Sequence, residues 1–189
     1  KSVGEVMAIG RTFKEALQKA IRSLEIDRYG LEETNISQRG AKDNENVIEE
    51  IIREKLKLPN WERVWYIAQA FRLGWSVEEI YEHTRIDPWF LSNIQQIVTL
   101  EEELKTIGPS SGPLLYEAKE YGFSDRRLAQ LWNISEAEVR GLRKAAGIKA
   151  IFKRVDTCAA EFEAYTPYLY STYERECEAR PTKRKKLLF

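Results

Sequence analysis

An all-α fold, an irregular bundle of short helices with short extended segments at both ends, is predicted by three features of the sequence. Apolar residues recur at three- and four-residue spacing in one stretch after another. Each stretch is bounded by a capping residue in front or by Gly, Asn or Pro behind. The composition, 43% hydrophobic with five Trp and 32% charged in 189 residues, supplies both a core and a polar coat. At roughly 150 residues per domain this is one domain with appendages.

The first helix opens at Thr12, with Glu15 placed to complete a capping box, and carries Phe13, Ala16, Leu17, Ala20, Ile21 and Leu24 up to Gly30. Residues 31–43 have no period and much polarity, so a linker or loop is expected there. Val47, Ile48, Ile51, Ile52 and Leu56 form a second stripe stopped by Pro59. A third helix is expected from Asn60, stacking Trp61, Val64, Trp65, Ala68 and Phe71 before Gly74. Ser76 and Glu79 make another capping box, and Asp87-Pro88 opens a helix through Phe90, Ile94, Ile97, Val98 and Leu104. Gly108 to Pro113 reads as a linker, followed by helices over 114–121, 124–132 and 135–146, the last with the capping pair Ser135 and Glu138. Ile151 to Val155 alternates as a strand does, and Tyr165 to Tyr173 reads as extended chain that must lie on a neighbour to be ordered.

The chemistry on view is sparse. Thirty basic residues balance thirty acidic ones, which argues against a strong field for polyanions. No apolar run reaches the ~20 residues of a membrane span, and a cytoplasmic setting is expected. Cys158 and Cys177 lack the spacing of a zinc site and read as buried or incidental thiols, and His83 fits a helix end. Glu49-Glu50 and Glu101 to Glu103 read as solvated helix faces, and no phosphate-binding loop or nucleophile motif is present. Neither a catalytic, a cofactor nor a metal residue is therefore assigned.

Residues 123–148 outline a helix-turn-helix whose second helix would offer Arg140, Arg143 and Lys144 to phosphates. A free-standing DNA-binding regulator is thus the alternative reading. Glu136 and Glu138 in the first turn oppose it, and a plain helical corner is preferred. The basic run Arg180, Lys183, Arg184, Lys185 and Lys186 reads as a solvated linker before Leu187-Leu188-Phe189. With Lys1 entering a structured stretch directly, both ends suggest a segment cut from a larger protein.

Three stretches together resemble the large subunit of carbamoyl phosphate synthetase. Residues 1–11, KSVGEVMAIGR, look like the tail of that family's first ATP-grasp unit. LGWSV at 73–77 through IDPWFL at 86–91 looks like the helical domain between its two units. VDTCAAEF at 155–162 with YSTYE at 170–174 looks like the entry into the second. The resemblance implies three parts: 1–26, tail of the first synthetase unit and connecting helix; 27–149, helical oligomerisation domain; 150–189, extended connector into the second unit.

It further implies a parent ligase that makes carbamoyl phosphate from bicarbonate, glutamine-derived ammonia and two ATP for pyrimidine and arginine biosynthesis. ATP and Mg²⁺, with K⁺ as a further candidate, would bind the parent outside this segment, and a small glutaminase subunit or domain would be its partner. The segment itself would be non-catalytic and self-associating, with no nucleic acid and no membrane. Glu5 and Arg11 are read as structural. Trp61, Trp65 and Trp89 are the candidate interface residues, since aromatics concentrate at interface cores.

Overall fold

A computed structural model describes residues 5–34, 45–109, 112–166 and 168–182. Among these, eight helices run in order: α1 (Phe13–Ser23), α2 (Glu45–Lys57), α3 (Arg63–Arg72), α4 (Val77–Thr84), α5 (Pro88–Ile107), α6 (Gly112–Glu120), α7 (Asp125–Trp132) and α8 (Glu136–Ala145). Two strands, β1 (Ile151–Arg154) and β2 (Leu169–Thr172), close the chain. The mostly helical class expected from the sequence is the class observed.

The 20-residue α5 is the spine: α1, α3, α4 and α7 all pack on it. Its buried stripe of Leu91, Ile94, Ile97, Val98 and Leu104 meets Trp65, Ile67 and Phe71 of α3, Ile80 of α4 and Leu128 of α7 in one core. Each such side chain taken fully from water contributes about 1.5–3 kcal/mol before entropy is charged against it. α2 closes over α3 and α4, and α8 folds back on α6 and α7.

The caps are where local sequence dictates local structure. Ser76 with Glu79, and Ser135 with Glu138, form reciprocal capping boxes. Asp87 accepts from the Trp89 amide at 2.8 Å, one residue beyond Pro88. Thr12 accepts from the Glu15 amide as expected, but the Glu15 carboxylate bonds the Arg11 amide at 2.7 Å rather than the Thr12 amide. It is drawn there because its other contacts, Lys19 and Thr172, hold it inside the fold.

Several boundaries differ from the sequence reading. α1 ends at Ser23, well before Gly30, and α3 starts at Arg63, with Asn60 instead accepting from the Glu62 amide at 2.9 Å. α6 takes in Gly112 and Pro113, which the sequence placed in a linker; Pro fits a first turn because its missing N–H would have no partner there. Of the expected linker at 31–43, Leu31 and Thr34 are buried, Glu32 caps the turn by accepting from the Tyr29 amide at 2.5 Å, Glu33 is exposed, and 35–43 lie outside the described residues.

The strand readings hold. β1 and β2 pair antiparallel with Ile151 opposite Thr172 and Arg154 opposite Leu169, so the tyrosine-rich stretch does lie on a neighbour. Residues 1–4, the basic run at 183–186 and 187–189 lie outside the described residues.

Candidate functional site

Two polar clusters and one aromatic surface stand out from the packing. The first cluster is a buried ionic triad. Glu101 is wholly buried and receives Arg127 through two contacts, Nε to Oε2 at 3.1 Å and Nη2 to Oε1 at 2.8 Å. Arg72 reaches the same Oε1 at 2.7 Å and also donates to the Leu31 carbonyl. This corrects the solvated-face reading for Glu101, while Glu102 and Glu103 are exposed as expected. Glu101 lies three residues from Val98 and Leu104 and four from Ile97, on the apolar stripe, so it points inward and requires counter-charges. The triad ties α3, α5 and α7 to the irregular stretch after α1.

The second cluster joins the helices to the β1–β2 hairpin. Lys119 is buried, donating to the Phe123 carbonyl at 2.6 Å and to Asp125 at 2.8 Å. Arg143 meets the other oxygen of Asp125 at 3.0 Å, and both cations face the Tyr173 ring. Burial pulls the Lys119 ammonium down to about 8, against the opposing pull of Asp125. Burial pushes the Asp125 carboxyl up, but Lys119 and Arg143 override it and hold the group below its ordinary range. Burial raises the Tyr173 phenol. One face over, Glu15 takes Lys19 at 2.8 Å and the Thr172 hydroxyl at 3.0 Å. Arg11 meets Glu174 at 2.6 Å and holds its carboxyl below the usual range.

The aromatic surface sits at the start of α5. Trp89 is 57% exposed and Phe90 40%, packed edge to face at 5.0 Å between centroids, with Phe13 of α1 against both. Trp61, 65% exposed, stands 6.1 Å from Trp65. Trp65 itself is a core residue, 1% exposed, whose indole N–H donates to the Gly30 carbonyl at 3.0 Å. Of the three tryptophans singled out by the sequence, Trp61 and Trp89 therefore present surface and Trp65 fills the core.

The other residues weighed for chemistry are spread apart. His83 rests 5.8 Å from the Trp75 ring at the end of α4. Cys158 is half-buried and Cys177 exposed, so neither is the buried thiol considered above. In α8, Arg143 is spent on Asp125 and the Ile148 carbonyl and Arg140 on Glu136, while Glu138 caps the helix. The α7–α8 pair is thus a corner of the bundle whose recognition-helix first turn faces outward with acid, and it gives no support to a DNA-reading helix. Among the described residues no group of three or more His, Cys, Asp or Glu converges to hold a metal ion. No described helix is long and apolar enough to cross a membrane.

A family model described as carbamoyl-phosphate synthetase large chain, oligomerisation domain, matches residues 5–147. A carbamoyl phosphate synthase large chain of Archaeoglobus fulgidus is 55% identical over 194 residues, covering 100% of this chain and 17% of the relative. One of Pseudomonas aeruginosa is 50% identical over 190 residues, with the same coverage. A carbamoyl phosphate synthase large chain, N-terminal section, of Aquifex aeolicus is 55% identical over 175 residues, covering 93% of this chain and 30% of the relative. The chain spans 17% of the length of the two full large chains it matches.

Proposed function

The chain belongs to the carbamoyl-phosphate synthetase large-chain family, through its oligomerisation domain, and on that premise we propose that it works as a rigid connector and self-association module for two catalytic units that it does not itself contain. The match over residues 5–147 is the observation that carries this reading. The structure supports it in kind: the conspicuous polar clusters are closed ion pairs that lock elements together, and the exposed Trp89 and Phe90, backed by half-buried Phe13, offer an apolar face.

The parent chain would be a glutamine-hydrolysing, ATP-dependent ligase of the cytoplasm, forming carbamoyl phosphate from bicarbonate, ammonia and two ATP. Its ammonia would come from a small glutaminase subunit or domain, and its ATP, Mg²⁺ and K⁺ would bind in the synthetase units. What this segment contributes is alignment. Arg11–Glu174 and Glu15–Thr172 tie the residues entering the bundle to those leaving it, so force on one flank is transmitted to the other.

The test is made on the purified 189-residue segment. We expect ATP turnover and carbamoyl phosphate formation no faster than in a buffer blank, together with sedimentation mass that rises with concentration. Turnover above the blank, or a monomer at high micromolar concentration, overturns the reading.

A further inference from the structure

A cleft of about 460 Å³ opens between α1, the α6–α7 junction and β2, with Arg22, Tyr29, Ser124, Arg126 and Tyr173 on its wall. The carboxylates lining it are all committed. Glu15 is paired with Lys19 at 2.8 Å, Asp125 with Lys119 and Arg143 at 2.8 and 3.0 Å, and Glu136 with Arg140 at 3.1 Å. Two guanidiniums remain, making no ion pair among the described residues. Arg22 gives one N–H to the Gly122 carbonyl at 2.6 Å, and burial drags its pKa down, the mark of a desolvated charge without full compensation. Arg126 lies 3.8 Å over the Tyr29 ring at the mouth, exposed. Ser124 accepts from the Arg127 amide at 2.9 Å, which leaves its own hydroxyl proton to give.

We propose that this cleft binds a small oxyanion, a phosphate or carboxylate group, held by Arg22 and Arg126. The planar fork of a guanidinium matches both groups in two-point contacts, and an anion is what a half-desolvated cation lacks. None of its residues belongs to the Trp89–Phe90 surface.

The test is hydrogen exchange on the full-length large chain in inorganic phosphate, in acetate, and in sodium chloride at matched ionic strength. Phosphate or acetate is expected to slow exchange in the second half of α1 and over residues 122–126 beyond the effect of chloride. Arg22→Gln and Arg126→Gln each weaken that protection about tenfold, the loss of roughly 1.4 kcal/mol per contact. Protection by phosphate alone identifies a phosphate ligand; protection by acetate as well identifies any carboxylate. Arg126 is exposed, so its variant folds even where Arg22→Gln does not. Protection no greater than in chloride, or undiminished in Arg126→Gln, overturns the proposal.

Discussion

Arg127 holds Glu101 through its guanidinium Nε and Nη2 in a place where both side chains are buried. Such a pair adds little net stability when intact, since desolvation offsets attraction, but losing one partner strands the other. Glu101→Gln is expected to destabilise the fold by about 3–5 kcal/mol, because buried Arg127 then lacks its counter-charge and Arg72 keeps only Glu102 at 3.6 Å. Glu49→Gln, which breaks the exposed pair with Arg53, is expected to cost less than about 1 kcal/mol. Urea unfolding of both variants measures the contrast.

Lys119 gives stability a slope on the alkaline side. Its folded pKa of about 8 lies below the ordinary 10.5, so between these values the unfolded chain binds more protons. The contribution of this group is full above pH 10.5 and is lost as pH falls through 8. Tyr173, raised by burial, acts in the opposite sense only above its ordinary 10. Chemical denaturation from pH 8 to 10 is expected to show the wild type gaining about 2 kcal/mol relative to Lys119→Met, which lacks the titrating group.

Gly122 has no room for a side chain. Its φ is +94°, and a Cβ would lie 2.9 Å from the Glu15 Cα and 3.1 Å from the Glu15 carbonyl oxygen. Gly74, at φ +86°, has nothing within 4 Å. Gly74→Ala is therefore expected to cost about 1 kcal/mol from backbone strain alone. Gly122→Ala should cost at least twice that, since α1 must shift as well. Thermal melting of the two variants separates strain from collision.

Trp89 and Trp65 should fail in different ways. Trp89→Ala is expected to weaken self-association at least about tenfold while leaving helix content intact, as loss of an exposed aromatic anchor does. Trp65→Ala is expected to cost about 3–5 kcal/mol of folding stability, from the cavity and from the orphaned Gly30 carbonyl. Sedimentation and circular dichroism on the same samples distinguish them.

What was readable in the sequence was what is local in physics. The capping boxes at Ser76 and Ser135 and the Asp87-Pro88 start depend on groups within three residues, and they stand as expected. The hairpin was half readable: alternation marked β1, and the need for a neighbour marked the tyrosine stretch. Glu101 was misread because three consecutive glutamates look solvated, although its angular position beside Ile97 and Leu104 already placed it inside. Leu31 gave no signal at all. A lone apolar residue without period is buried only because distant side chains, Arg72 and Trp65, come to the carbonyls of Leu31 and Gly30. The same contact decided that Trp65, and not Trp61, turns inward. The site residues Arg22 and Arg126 were equally hidden, since being unpaired is a property of the whole fold.

Arg11 and Glu174 stand 163 positions apart along the chain and yet touch. The polypeptide thus departs beside the point where it came in, as a loop of cord does at a knot. Segments attached at these two positions start side by side, and the number of helices between them does not alter that.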